Sequence, residues 1–391
     1  MTVSAEVLLQ PATLELIDSL SAQATEADIV TTVSRLKKAG HDSETIHQAL
    51  EQVRLRRKAR AKFGHYADQM LFTESGLEQA TRLPVAAFHA GRFRDAQMTS
   101  VADLGCGIGA DSLAFAALGL TVHAIDSDPT VAALASYNLA LFETATVQVG
   151  DALGFHHGEV DSLWLDPARR SNAQRVGDPQ QWSPPLDEAF RLARTKPTGI
   201  KLAPGMDREL IPDDAEAQWV SHGGDVVEMV LWWGPLARPG VKRAALVLGD
   251  DSAREITGGA DALDEPVRSL GEYLFEPDGA VIRARLIGDL ARELGGGMVS
   301  TDIAYITTDT AQHTALAQGF RIREVLSAKP KDLARWVRTE DIGVLEIKKR
   351  GVDIDPAKLR AQLNPRGEQP ATLIITRVEG KRVALVAERL D

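Results

Sequence analysis

The run Asp103-Leu-Gly105-Cys-Gly107-Ile-Gly109 begins inside a strand-like stretch, 101–104, and opens directly onto an Ala/Leu-rich helical stretch, 111–117. Glycines at alternate positions let a chain turn sharply and bring its backbone against a ligand without Cβ interference, beside a helix N-terminus. A strand–loop–helix junction of this kind belongs to a parallel α/β sheet, with the ligand at the carboxyl edge of the strands. The loop alone does not choose the ligand. Gly105-x-Gly107-x-x-Ala110 also satisfies the looser dinucleotide spacing.

Downstream, short β-branched runs alternate with helical stretches, the pattern of a βαβ sheet. The expected strands are 101–104, 122–125, 146–149, 162–165, 199–202, 226–232 and 244–248, which make a doubly wound seven-stranded α/β domain over 96–250. Three more acids close expected strands. Asp126 ends the second, 17 positions after Gly109, where a carboxylate can accept hydrogen bonds from ribose hydroxyls. Asp151 follows Gly150 after the third, where it can accept from an adenine amino group, and Asp166-Pro167 closes the fourth. Each alone also suits a helix cap or a solvated loop.

Before this domain, apolar residues at spacings of three and four (Leu14, Ile17, Leu20; Ile46, Ala49, Leu50, Val53) predict a helical N-terminal unit over 1–95. After it, 251–266 is rich in Asp, Gly and Ala and reads as a linker. A C-terminal α+β domain is expected over 267–391, with strands at 281–286, 302–306, 344–347, 372–376 and 383–386 and helices at 311–318, 331–337 and 356–363. No apolar run approaches the length of a membrane span and no leader pattern is present, so the expected location is cytoplasmic. A single cysteine, Cys106, excludes an internal disulfide and a cysteine-rich metal site, and His65, His156 and His157 lack metal-ligand spacing, so no metal is expected. The net charge of −11 opposes indiscriminate binding of polyanions. Local basic runs at 54–62 and at Lys348, Lys349 and Arg350 are the exceptions.

With its acidic second strand end, Gly150-Asp151 and Asp166-Pro167, the Asp-x-Gly-x-Gly-x-Gly signature resembles the class I S-adenosylmethionine (SAM) dependent methyltransferases. The resemblance implies a Rossmann-like core, SAM as cofactor, Asp103 facing the methionine amino group, Asp126 the ribose and Asp151 the adenine, with Gly105, Gly107 and Gly109 forming the cradle. More narrowly, Gly107-Ile-Gly109-Ala-Asp111-Ser, Ala124-Ile-Asp126-Ser-Asp128-Pro and Met70-Leu-Phe-Thr-Glu-Ser are similar to the trimethylguanosine-synthase type of RNA methyltransferase. Glu276-Pro-Asp-Gly and Leu345-Glu-Ile-Lys-Lys-Arg-Gly resemble bacterial methyltransferases with a C-terminal THUMP-like domain. RNA, either tRNA or rRNA, is the partner this implies.

Methyl transfer from a sulfonium is an in-line displacement, so alignment and exclusion of water matter more than strong acid–base groups. Asp166-Pro167-Ala-Arg169-Arg170 stands where amine-directed methyltransferases carry Asn/Asp-Pro-Pro-aromatic. The missing aromatic puts adenine-N6 specificity in question, while Asp166 and Pro167 can still orient an amino group. Uridine C5 chemistry is disfavoured, because the one cysteine lies in the glycine loop. Arg169 and Arg170 can clamp phosphate or serve as surface arginines. Lys201 can face the cleft or snorkel, and Trp232 or Trp233 can stack a base or fill the core. Run 54–62 can track a nucleic-acid backbone or form a solvated helix face. The rivals to an RNA methyltransferase are a methyltransferase of protein or small molecules, a nicotinamide-dependent oxidoreductase, and a binding module without catalysis.

Overall fold

Strands and helices alternate through the middle of the chain because each apolar strand needs a helix to cover it. The computed structural model describes residues 4–22, 29–167, 170–171, 174–175, 178–249 and 252–390. It divides into two compact units: residues 1–202 with 231–237, and residues 203–230 with 238–391.

The first unit opens with helices α1 (Ala5–Leu8), α2 (Pro11–Ala22), α3 (Ile29–Lys38), α4 (Ser43–Phe63), α5 (Glu74–Gln79) and α6 (Leu83–Asp95). Asp42 caps α4 by accepting from the N–H groups of Glu44 and Thr45, and Thr73 caps α5 by accepting from Gly76. Leu8 of α1, Ile17 and Leu20 of α2, and Ile46, Ala49 and Val53 of α4 share one core, as the three-and-four spacing predicts for α2 and α4. Next come β1 (Ser100–Leu104), α7 (Ala110–Ala117), β2 (Thr121–Asp126), α8 (Pro129–Leu139), β3 (Ala145–Val149), β4 (Ser162–Leu165), α9 (Leu186–Ala193) and β5 (Thr198–Leu202). The strands run β5-β4-β1-β2-β3, all parallel. Parallel order with β1 central puts the ends of β1, β2, β3, β4 and β5 along one edge. Gly199 is obligatory there, because a Cβ would meet the rings of Trp164 and Trp232 at 2.7 and 2.8 Å.

The second unit contains β6 (Glu216–His222), most of β7 (Asp225–Trp233), β8 (Arg243–Leu248) and β9 (Ala253–Gly258). β6 and β8 are parallel, and β8 and β9 antiparallel. The seven expected strands are all present, joined by β6 and β9, which the sequence reading omits. β9 lies inside the stretch expected to be linker, and the expected boundaries at 95/96 and 250/251 fall within units rather than between them.

Beyond lie β10 (Tyr273–Pro277), α10 (Gly279–Arg283), α11 (Ile287–Glu293), β11 (Gly297–Met298), β12 (Ile306–Thr308), β13 (Ala317–Ser327), α12 (Pro330–Thr339), β14 (Ile342–Lys349), α13 (Pro356–Leu363), β15 (Gln369–Val378) and β16 (Lys381–Arg389). Their sheet runs β11-β12-β10-β13-β16-β15-β14. Three expectations fail here. Of the strand expected over 302–306, only Ile306 lies in one, at the start of β12. The β-branched run at 281–286 begins in helix α10, because Asp278 caps it by accepting from the Ala280 N–H at 2.7 Å. The stretch 311–318, helical by propensity, contains the start of β13, since β10 and β16 pair with that strand on both sides. Tertiary pairing overrides local preference.

Candidate functional site

The glycine loop is tied down by β2. The N–H groups of Gly105 and Cys106 both donate to the Ile125 carbonyl at 2.9 Å. Gly105 has a φ of +96°, and a Cβ there would lie 3.0 Å from the Asp166 carbonyl oxygen, so the end of β4 comes close against the loop. At Gly107, φ is +57° and a Cβ would enter open space. The Gly107 N–H donates to Asp126 Oδ2, and the Asp128 N–H to Oδ1, each at 2.9 Å. Half-burial raises the Asp126 carboxyl above its ordinary range, against these two N–H groups. Asp128 caps α8 through Thr130. Asp151 is exposed and accepts from its own turn, the Leu153 N–H, at 2.9 Å. Val149 and Leu153 flank it with apolar side chains 58% and 38% exposed. Cys106 is buried, which pushes its thiol well up and leaves it a poor nucleophile.

A buried polar chain runs behind the loop. Lys201 Nζ, on β5, lies 2.6 Å from Asp166 Oδ2, donates to Thr81 Oγ at 2.9 Å, and sits 3.7 Å from Asp111 Oδ2. Thr81 Oγ donates in turn to Asp111 Oδ2 at 2.7 Å. Asp111 Oδ1 accepts from His89 Nδ1 at 2.8 Å, and the imidazole packs on Trp164 with centroids 4.5 Å apart. Burial pushes the Asp111 carboxyl up, but Lys201, His89 and Thr81 outweigh it and hold it down at about 2. Asp103 behaves oppositely. It is 1% exposed, accepts from Ser112 Oγ at 2.5 Å, and is driven up to about 8 by burial and by the charge of Asp111.

The sequence reading placed Lys201 in the cleft or snorkelling to water. Instead its side chain is 11% exposed and occupied by Asp166, Thr81 and Asp111. Asp111 enters the sequence reading only as part of the Gly107–Ser112 motif and without a role, and Thr81 and His89 do not enter it as site residues, because only the fold brings the three together. Pro167 is buried beside Asp166. Arg169 lies outside the described residues. Arg170 is described in its backbone alone, in a two-residue ladder with 174–175. Trp232 and Trp233 are core, not stacking platforms, at 1% and 3% exposure.

Most of the basic run at 54–62 is answered within the unit. Arg54 pairs with Glu51 and Glu74, Lys58 with Glu74, and Arg60 with Asp68. Arg56 is buried and donates to the Met70 carbonyl at 2.9 Å and Asp18 at 2.8 Å. Lys62 Nζ caps the end of α5, donating to the carbonyls of Leu77, Glu78 and Ala80, each at 2.8 Å. Arg54, Arg57, Lys58 and Arg60 form an exposed helix face whose charges are mostly answered by neighbouring acids, while Arg56 and Lys62 are turned into the unit.

In the second unit, Lys348 and Arg350 share one carboxylate, Glu276, at 2.7 and 3.3 Å, while Lys349 is exposed. Lys348 and Arg350 line a cavity of about 960 Å³ together with Arg389, His313 and Asp278.

Residues 317–389 match the family described as THUMP domain-like, and residues 3–59 match a family described as a domain of unknown function. A relative from Mycobacterium tuberculosis H37Rv, named as an uncharacterized S-adenosylmethionine-dependent methyltransferase, is 34% identical over 339 residues, covering 84% of this chain and 92% of the relative. This chain is an S-adenosylmethionine-dependent methyltransferase. The fold agrees: a crystal structure assigned as a methyltransferase from Porphyromonas gingivalis W83 covers 100% of both chains with a TM-score of 0.77 at 19% identity.

The loop of this methyltransferase fits its cofactor. Gly107 leaves room above the backbone, and the Asp126 oxygens keep lone pairs beyond the backbone N–H groups they accept. The exposed apolar pair beside Asp151 offers walls for a flat ring. The looser dinucleotide spacing at 105–110 is thus carried by a methyltransferase loop. No helix among the described residues is long and apolar enough to cross a membrane.

Proposed function

We propose that this methyltransferase acts on RNA and transfers methyl to an amino group of a base. The observation that carries the acceptor half is the end of β4, where the Asp166 carbonyl lies against Gly105 and its carboxylate is fixed 2.6 Å from Lys201. Two acceptor oxygens beside the glycine loop suit the two hydrogens of an amino group, leaving the nitrogen lone pair to be aimed at the methyl. Bound SAM supplies that methyl as an electrophile on a sulfonium.

An amino nitrogen attacks with its own lone pair and sheds a proton afterwards, so it needs orientation more than a strong base. Asp166, 2.6 Å from the Lys201 ammonium, is held in place to orient the attacking nitrogen. On the cofactor side Asp126 takes the ribose hydroxyls, Asp151 the adenine amino group and Asp103 the methionine amino group, with Gly105, Gly107 and Gly109 as cradle. Arg169 and Arg170, following Pro167, are assigned to phosphate.

The RNA half is supported by the THUMP domain-like match over 317–389, which includes Lys348, Lys349 and Arg350. A protein or small-molecule acceptor is the second reading, favoured by the internal pairing of most cations in 54–62. Transfer of radiolabelled methyl from SAM into cellular RNA, protein and small-molecule fractions separates them. Label in RNA, recovered as an N-methylated nucleoside after digestion, is the expected result. Label in another fraction alone overturns the RNA reading.

A further inference from the structure

Lys201 has no room to serve as a substrate clamp. Its ammonium already meets Asp166 at 2.6 Å and Thr81 at 2.9 Å, with the Asp111 carboxylate 3.7 Å away. Nor can it swing outward cheaply. Asp111 is held by Thr81 at 2.7 Å and by His89 at 2.8 Å, and all three lie in the interior. Moving Lys201 would leave Asp111 buried without its cation, an expensive state.

The charges around this point are Asp103 on β1, Asp111 on α7, Asp166 after β4, His89 on α6, Lys201 on β5, and Lys62 on α4, which feels the Lys201 charge. Asp103 is pushed up by burial and by the Asp111 charge, and the carboxylates near Lys201 Nζ are Asp166 at 2.6 Å and Asp111 at 3.7 Å. Without the ammonium, Asp111 and Asp166 would lose the cation they share. Asp166, whose side chain is 35% exposed against 7% for Asp111, is the one with solvent access to take up a proton. A protonated Asp166 would turn a donor toward the incoming amino group.

We propose that Lys201 is a positioning residue, held in the Thr81–Asp111–His89 chain, that keeps the Asp166 carboxylate ionised and aimed at the acceptor. This rests on Asp166 being the acceptor-side residue, but its physical content is testable without any acceptor. The full-length protein, labelled with ¹³C at aspartate Cγ, is titrated by NMR, with the Asp166 signal assigned through Asp166→Asn. Lys201→Met is expected to raise the Asp166 midpoint by about one pH unit or more, the effect of removing an adjacent opposite charge. Lys201→Arg should leave it near the wild-type value. Thr81→Val, a gentler change that loosens the ammonium, should move it the same way by less.

In parallel, Lys201→Met should lower the rate of label transfer to RNA about 100-fold, leave SAM affinity unchanged, and be rescued in part by arginine. An Asp166 midpoint unmoved in both Lys201→Met and Thr81→Val overturns the proposal. A midpoint that moves as expected, in a protein whose wild type labels no RNA, upholds the positioning role and removes the RNA reading instead.

Discussion

Asn138 and Leu71 bond in both directions: the Asn138 carboxamide accepts the Leu71 N–H at 2.8 Å and donates to the Leu71 carbonyl at 3.0 Å. The same Nδ2 donates to the Ile108 carbonyl, inside the glycine loop, at 2.9 Å. One buried side chain on α8 therefore ties the segment ahead of α5 to the loop. Gln52 repeats the device from α4, pairing both ways with the Phe72 backbone at 2.7 and 3.0 Å. The upstream Met70-Leu-Phe-Thr segment is thereby fastened to the glycine loop. Asn138→Ala strands buried backbone groups on both partners and should cost about 2–4 kcal/mol of stability, measured by denaturant unfolding. It should also weaken SAM binding, and a variant as stable as wild type would refute the tie.

Asp126 organises the loop through Gly107 while keeping lone pairs for a ligand. Asp126→Ala is expected to weaken SAM binding by about 1–3 kcal/mol. Titration calorimetry that finds an unchanged affinity would take Asp126 out of the cofactor site.

Asp103 makes stability depend on pH. Its carboxyl ordinarily titrates at 3.8 and is raised to about 8 in the folded chain. Between those values the folded state holds a proton that the unfolded state has released. Its stabilising contribution is full below 3.8 and is lost as pH rises through about 8. Asp111, lowered from 3.8 to about 2, acts oppositely and only at lower pH, whereas Asp126, also raised, adds to the decline above 3.8, so Asp103 is read by comparison with its own variant. Asp103→Asn should remove a decline of up to about 1.4 kcal/mol per pH unit. Unfolding curves collected across this window should diverge between the two proteins, and parallel ones would contradict the assignment.

Lys348 and Arg350 are committed to Glu276, whereas Lys349 is exposed. Lys349→Glu should therefore reduce the salt dependence of RNA binding by about one unit of log–log slope, without loss of stability. A slope equal to that of the wild type would exclude Lys349 from any RNA surface.

Much of the first unit was legible in the sequence, because its signals are local. A glycine loop that must turn, acids at strand ends, and apolar spacing of three and four are each set within a few residues. β6 and β13 were missed for the opposite reason. In β13, Arg321-Ile-Arg-Glu-Val-Leu-Ser carries a mixed charged and apolar pattern that becomes a strand only because β10 and β16 flank it. The glycine loop, Asp126 and Asp166 could be read from motif and position. The Thr81–His89–Asp111–Lys201 chain could not, since it joins residues up to 120 positions apart through hydrogen bonds that only the fold makes possible. Run 54–62 shows the same limit: its exposed face could be read from the sequence, but the partners Asp18, Asp68 and Glu74, which lie outside the run, could not.

The most direct test of the account is the behaviour of Asp166→Ala, measured as SAM affinity by calorimetry and as turnover by radiolabelled methyl transfer on the same preparation. The account predicts SAM affinity close to wild type with turnover reduced about 100-fold or more, the signature of a residue on the acceptor side. SAM binding that collapses with the substitution, or turnover that survives it, would contradict it.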